Sequence, residues 1–335
     1  MDSPLSFLLR SLAPVGLLIA LCLAGPAPAS AQDPQTPLPR PENKRVETQD
    51  GLPLQFTYWP TARDPAMDSG VVVLLHMQHG NRLDWPIDFV QRLQRDYAVI
   101  AVDLRGHGQS KGGNPSSGGD VVDPSGKKSK KTSNSGVRID SGSLKPRDYE
   151  AMASIDLEAI KQFIYEENQL KHLNMNKTAV IGAEMGANVA VTFAANDWLK
   201  TPHPDGQEGF RTPRGQDVRA LVLLSPEVSR PGLPIAEPLK VLKVPEYKIA
   251  VLVCVGDKDK EDKGEAKKVF RQLNPDRNKD RMYLKDYDSS ARGTQLFKGA
   301  KGLEANIYAF LEIHLNKVPS DWNDRQSKLG RKKFN

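Results

Sequence analysis

The chain has 335 residues, enough for one large domain or two small ones, and 39% hydrophobic with 26% charged content excludes a wholly disordered chain. Its two cysteines, Cys22 and Cys254, exclude a disulfide framework. The net charge of +6 sits in two segments, 111–150 and 317–335, so the remainder is close to neutral and the basic character is expected to belong to flexible parts.

In chain order, the first 31 residues read as a secretory signal. "SLAPVGLLIALCLAG" is a short apolar core, and Ala29-Ser30-Ala31 is a small-x-small cleavage site. Pro14 interrupts the run, which falls short of the ~20 residues that span a bilayer, so no transmembrane segment is expected after cleavage. Cys22 follows the bulky Leu21, an unfavourable context for lipidation. Residues 32–42 are a Pro-rich linker.

The α/β pattern follows over 43–318. "RVETQDGLPLQFTYWP" is two strands around Asp50-Gly51, a hairpin signal. Strand "GVVVLLH" precedes a helix near "RLDWPIDFVQRLQR". Strand "YAVIAVD" comes next, then the long amphipathic helix "DYEAMASIDLEAIKQFIYEE". Strand "KTAVIG", helix "GANVAVTFAAND", strand "VRALVLLS", a short helix around "IAEPLKVLK" and strand "KIAVLVCVG" continue the alternation. Helix "GEAKKVFRQL", strand "RMYLKDY" and helix "GLEANIYAFLEIHL" complete it. Nearly continuous apolar strands between helices predict a mostly parallel sheet covered on both faces, with an antiparallel hairpin at its start. Cys254 lies within an apolar strand and reads as a buried structural thiol. Residues 111–145, rich in Gly, Ser and Lys without periodicity, predict a disordered basic insertion, and 319–335 a basic C-terminal tail.

Five motifs in this order carry a resemblance to the α/β-hydrolase fold family. "VVVLLHMQHGN" resembles the oxyanion-hole segment, with His76 ending the strand and the Met77 amide in the oxyanion position. "VIAVDLRGHGQS" is similar to the family's D-x-R-G-x-G-x-S turn. "VIGAEMGANVA" occupies the nucleophile elbow, with Met185 supplying the second oxyanion amide. "VLVCVGDKD" resembles the acid strand and places Asp259 as the triad acid, and "DYDSSARGTQLF" looks like the loop that usually carries the histidine. The resemblance implies an α/β-hydrolase fold without a large cap domain. It also implies a degenerate triad, because the nucleophile position is Glu184 and the histidine position Arg292.

Triad chemistry needs a nucleophile deprotonated by a base that titrates near the working pH. Arginine stays protonated in proteins and cannot relay that proton. Members of this fold that displace halide or open epoxides use Asp at the elbow, but they still need a histidine to activate water. Glu is also one methylene longer, moving the attacking oxygen by roughly 1.5 Å, and a misplacement of ~1 Å can cost ~10²-fold in rate. A Glu184–Arg292 ion pair flanked by Asp259 is therefore expected to plug the former active site. His79 at the pocket mouth is the alternative base, and His76 lies beside it.

The leading reading is an exported, non-catalytic α/β-hydrolase-fold protein whose partner is a small molecule or an envelope polyanion. The competing enzyme reading uses Glu184 as nucleophile or general base, with His79 assisting, on esters or similar small substrates. A third uses "KKSKK" (127–131) and "GRKK" (330–333) on polyanions; for an exported chain, envelope polymers fit better than nucleic acid. No P-loop, CxxC pair or metal-ligand cluster appears, so no cofactor or metal is expected. "GDKDKEDKGE" lacks the glycine and glutamate of a calcium loop.

Overall fold

The computed structural model describes residues 37–112, 138–274 and 280–329. The signal, residues 32–36 of the linker, the "KKSKK" run and "GRKK" lie outside the described residues.

The sheet starts with β1 (Glu42–Glu47) and β2 (Pro53–Trp59), an antiparallel pair joined through the Asp50-Gly51 turn. β2 pairs antiparallel with β4 (Ala98–Val102), and from there every pairing is parallel. The order among the described strands is β1-β2-β4-β3-β5-β6-β9-β10, with β3 at Val71–Leu75, β5 at Thr178–Ala183 and β6 at Val218–Leu224. β9 is Ala250–Gly256 and β10 is Met282–Tyr287.

The apolar runs are continuous because both faces of these strands are covered. Side chains alternate across the sheet: Val71, Val73 and Leu75 of β3 join one core layer, whereas Val72 and Leu74 join the other. The first layer packs under α3 (Leu157–Gln169), α4 (Met185–Trp198), α5 (Ala236–Leu242) and α6 (Glu265–Leu273). The second packs under α1 (Ile87–Gln94) and α8 (Leu303–Leu311). The expected long helix is α2 (Pro146–Ala151) and α3 joined by a π turn at Met152–Asp156. A short α7 (Leu296–Gly299) precedes α8. Cys254 is fully buried, and burial pushes its thiol pKa up to about 12.

Three features depart from the sequence reading. Between β6 and α5 the chain makes a small antiparallel hairpin, β7 (Ser229–Arg230) and β8 (Leu233–Pro234), turning at Pro231-Gly232. Two-residue strands leave no periodicity to detect. Second, 138–145 of the expected disordered insertion is ordered: the Ile139 amide bonds the Lys111 carbonyl at 2.7 Å and a 3-10 turn spans Ser141–Ser143; 113–137 lies outside the described residues.

Third, the basic tail is docked as far as residue 329. Trp322 Nε1 donates to the Asn168 carbonyl at 2.8 Å, and Arg325 is only 5% exposed. The tail's composition matches a solvated segment, but its one deeply inserted arginine meets a buried carboxylate, Asp217. Arg325 donates through Nη1 and Nη2 to Asp217 and through Nη1 to Asn176 Oδ1 at 2.7 Å. Among the described residues no helix is long and apolar enough to cross a membrane.

Candidate functional site

The parallel strands β3, β5, β6, β9 and β10 stand side by side, and the loop after each delivers a polar group to the same edge of the sheet. These are Gln78 after β3, Glu184 after β5, Glu227 and Arg230 after β6, Asp259 after β9 and Arg292 after β10.

Glu184 occupies the turn between β5 and α4 at φ 49° and ψ −109°, a strained conformation for a side-chain-bearing residue. The turn is held by the Glu184 amide donating to the Leu224 carbonyl at 2.8 Å and by the Ala187 amide donating to the Glu184 carbonyl at 3.0 Å. The two glycines permit its tightness. A Cβ on Gly182 would lie 2.3 Å from the Gly186 oxygen, and one on Gly186 would lie 2.4 Å from the Leu75 oxygen. This is the geometry of a nucleophile elbow with a carboxylate at its tip.

That carboxylate is fully engaged. Oε1 accepts from Arg230 Nη2 at 2.6 Å, and Oε2 accepts from the Gln78 amide at 2.8 Å. Arg230 also donates to the Gln78 side-chain oxygen and lies 2.9 Å from Glu227 Oε2, with its guanidinium above the Tyr149 ring. Glu227 passes the alternation on: its Oε1 accepts from Arg292 Nη2 at 2.7 Å, and Arg292 Nη1 donates to Asp259 Oδ2 at 3.1 Å. The result is a chain of alternating charge, Glu184–Arg230–Glu227–Arg292–Asp259. The Glu184 and Arg230 side chains are only 11% and 10% exposed.

This corrects the expected Glu184–Arg292 pair. Arg292 does pair with Asp259, but its second partner is Glu227, and the cation on Glu184 is Arg230. The β7–β8 hairpin places Arg230 between the elbow and the rest of the network, so Glu184 has no need of Arg292. The hairpin is itself anchored by α4, whose Asn188 Oδ1 accepts the Glu227 amide at 3.2 Å, and by Glu265 of α6, which accepts the Val228 amide at 2.8 Å. The amide reaching the elbow carboxylate is that of Gln78, one residue beyond Met77. Met77 instead offers its carbonyl to His76 and Gly80, and Met185 is the first residue of α4.

Burial disfavours the Arg292 charge, but bonding to Asp259 and the field of Glu227 outweigh it and hold its pKa above the ordinary guanidinium value. Arg292 therefore donates hydrogen bonds and cannot accept a proton. All six histidines fall in the described residues, and none hydrogen-bonds Glu184. His79 is exposed, with φ 62°. His76, expected near the pocket, is fully buried: its Nδ1 bonds the Met77 carbonyl at 2.7 Å and its Nε2 accepts the Leu104 amide at 3.0 Å. Both ring nitrogens are spent on joining two loops, which removes His76 from any pocket. Among the described residues no group of three or more His, Cys, Asp or Glu side chains is placed to hold a metal ion.

His107 packs its ring 4.9 Å from that of His76, and its Nε2 is buried without a partner. Burial, and then the neighbouring His76, lower its pKa to about 4. An unfolded histidine takes up a proton near pH 6.5, so between that value and about 4 the unfolded state binds more protons than the folded one. Stability is then full above pH 6.5 and falls as pH drops, by about 3 kcal/mol across the window. Urea unfolding from pH 7 to 4.5 is expected to show the protein losing ground to His107→Gln; a pH-independent difference between the two would contradict this.

A model of the alpha/beta hydrolase family matches residues 72–306, and the chain belongs to that family. Solved structures agree on the fold. A Pyrococcus furiosus esterase superposes with a TM-score of 0.51 at 16% identity, covering 82% of this chain and 92% of its own. A dienelactone hydrolase from Anabaena variabilis gives 0.51 at 16% identity, over 83% and 100%. The Pyrococcus horikoshii acylaminoacyl peptidase gives 0.53 at 13% identity, over 86% of this chain and 44% of that one. No protein of curated function matches the sequence.

Proposed function

We propose that this chain is an exported α/β-hydrolase-fold protein that has given up hydrolysis and serves as a binding protein for a small molecule or an envelope polyanion. One observation carries the non-catalytic part: both oxygens of the elbow carboxylate are held, one by Arg230 and one by the Gln78 amide. An attacking carboxylate would have to break a buried ion pair. An oxyanion would have to displace the carboxylate from the amide that should stabilise it. The residue at the histidine position is a permanently charged guanidinium, so water hydrolysing an ester intermediate would have no base there. Export rests on the N-terminal signal pattern, and the choice of partner on the basic runs at 127–131 and 330–333.

The expected result is that a serine-directed fluorophosphonate probe leaves the protein unlabelled at the elbow and that short-chain p-nitrophenyl esters are not turned over. Turnover that disappears in Glu184→Ala, but survives a substitution far from the elbow, would establish the carboxylate as a catalyst and overturn the reading.

A further inference from the structure

At the opposite edge of the sheet, where β5 and β6 begin, lies a cavity of about 560 Å³. Its walls come from α3, from the loop after α4 and from the docked C-terminal segment that supplies Arg325. We infer that this cavity is a binding site for a small anion with an apolar body, a carboxylate or phosphate monoester.

The argument is an inventory of donors and acceptors. Lys161 is already spent: its ammonium meets Asp197, Asp217 at 2.7 Å and the Arg214 carbonyl at 3.1 Å. Lys200 is held by both oxygens of Glu158, at 2.6 and 2.5 Å, and Glu158 is the one carboxylate residue lining the space. Arg214 is different. Its Nε donates to His203 Nδ1 at 3.1 Å, and among the described residues no carboxylate pairs with it, so its two terminal nitrogens are open donors. Because His203 accepts through Nδ1, its ring proton sits on Nε2 and adds another donor.

Arg325 forms part of the wall, with its terminal donors turned to the protein. It is 95% buried, four of its donor directions are used, and its remaining Nε–H is buried with no acceptor. A buried donor without a partner is rare and costs stability. Tyr165, Met175 and Pro213 give the cavity an apolar flank. Excess donors at one side and apolar surface at the other select a ligand with an anionic head and an apolar body.

This site is remote from the elbow and does not depend on how the elbow is read. Ligand-observed NMR and calorimetry on the full chain with benzoate, phenyl phosphate and benzyl alcohol test it. Benzoate or phenyl phosphate is expected to bind saturably and benzyl alcohol about tenfold or more weakly. Arg214→Gln, an exposed position, is expected to weaken anion binding about tenfold or more while Glu184→Ala leaves it unchanged. No saturable anion binding, equal binding of the neutral alcohol, or equal affinity in Arg214→Gln would each overturn the inference.

Discussion

Arg230→Ala is expected to lower stability by about 3 kcal/mol, because removing one partner of a buried ion pair strands the other charge. Glu184 is the stranded group: its side chain is 11% exposed, and among the described residues Arg230 is the one cation paired with it. Glu227 suffers less, since Arg292 still holds it at 2.7 Å. Gln78 also loses the guanidinium bonded to its side-chain oxygen. Denaturant midpoints measure the loss. The control that gives the number meaning is Glu184→Gln with Arg230→Met, which removes both charges and is expected to recover most of the deficit. If the double variant is as unstable as Arg230→Ala, the damage comes from the hairpin's packing rather than from the stranded carboxylate.

Under the function proposed above, the same pair is the reason that a single change at the elbow would not create a serine hydrolase. Glu184→Ser restores a hydroxyl in the strained turn and frees the Gln78 amide. Arg292 still occupies the position of the base, fixed between Glu227 and Asp259. The proton relay needs a group that titrates, and neither guanidinium does. Asp259, the acid that the resemblance implies, has its side chain only 3% exposed and pairs with an arginine.

The elbow was legible in the sequence because its requirements are local. Two glycines four residues apart, an apolar strand before them and an apolar helix after them fix the turn whatever residue stands at its tip. Asp259 and Arg292 were named through the resemblance of "VLVCVGDKD" and "DYDSSARGTQLF" to the family's acid strand and histidine loop, and the two side chains pair at 3.1 Å. Arg230 was not, since it reaches the site from a hairpin whose strands are two residues long; the Pro231-Gly232 dipeptide was the one local signal of a turn there. Nor could the sequence choose between Arg230 and Arg292 as the partner of Glu184. That choice depends on which loop leans over the elbow, and Asn188 and Glu265 settle it through bonds to the hairpin backbone. His76 was misplaced for a related reason: proximity to the pocket in sequence did not reveal that its ring turns inward to bond Met77 and Leu104.

The C-terminal segment was the largest misreading, and it yields the other large effect. Composition identifies segments that cannot form a core of their own, but it does not exclude one arginine entering someone else's. Arg325 is inserted among Asp217, Asn176 and the carbonyls of Pro213 and Gly215, with both members of the Arg325–Asp217 pair 3% exposed. Arg325→Ala is expected to cost about 3 kcal/mol, since several buried acceptors lose their donor and Asp217 is left with Lys161 alone. Lys161 holds one oxygen of Asp217 at 2.7 Å but shares its ammonium with Asp197, so it offsets only part of the loss. Arg325→Lys is expected to recover little, as one ammonium cannot reproduce the planar fork that spans a carboxylate and two carbonyls. The loss should be visible both in the denaturation midpoint and in new tryptic cleavage within residues 317–329, where Lys317 and Lys328 are the sites the variant keeps. Cleavage there in the unaltered protein, as fast as in the variant, would mean that the segment is not held by the pair. Slow cleavage of the unaltered protein alone would mean that residues 317–329 belong to the folded body, held there by the Arg325–Asp217 pair.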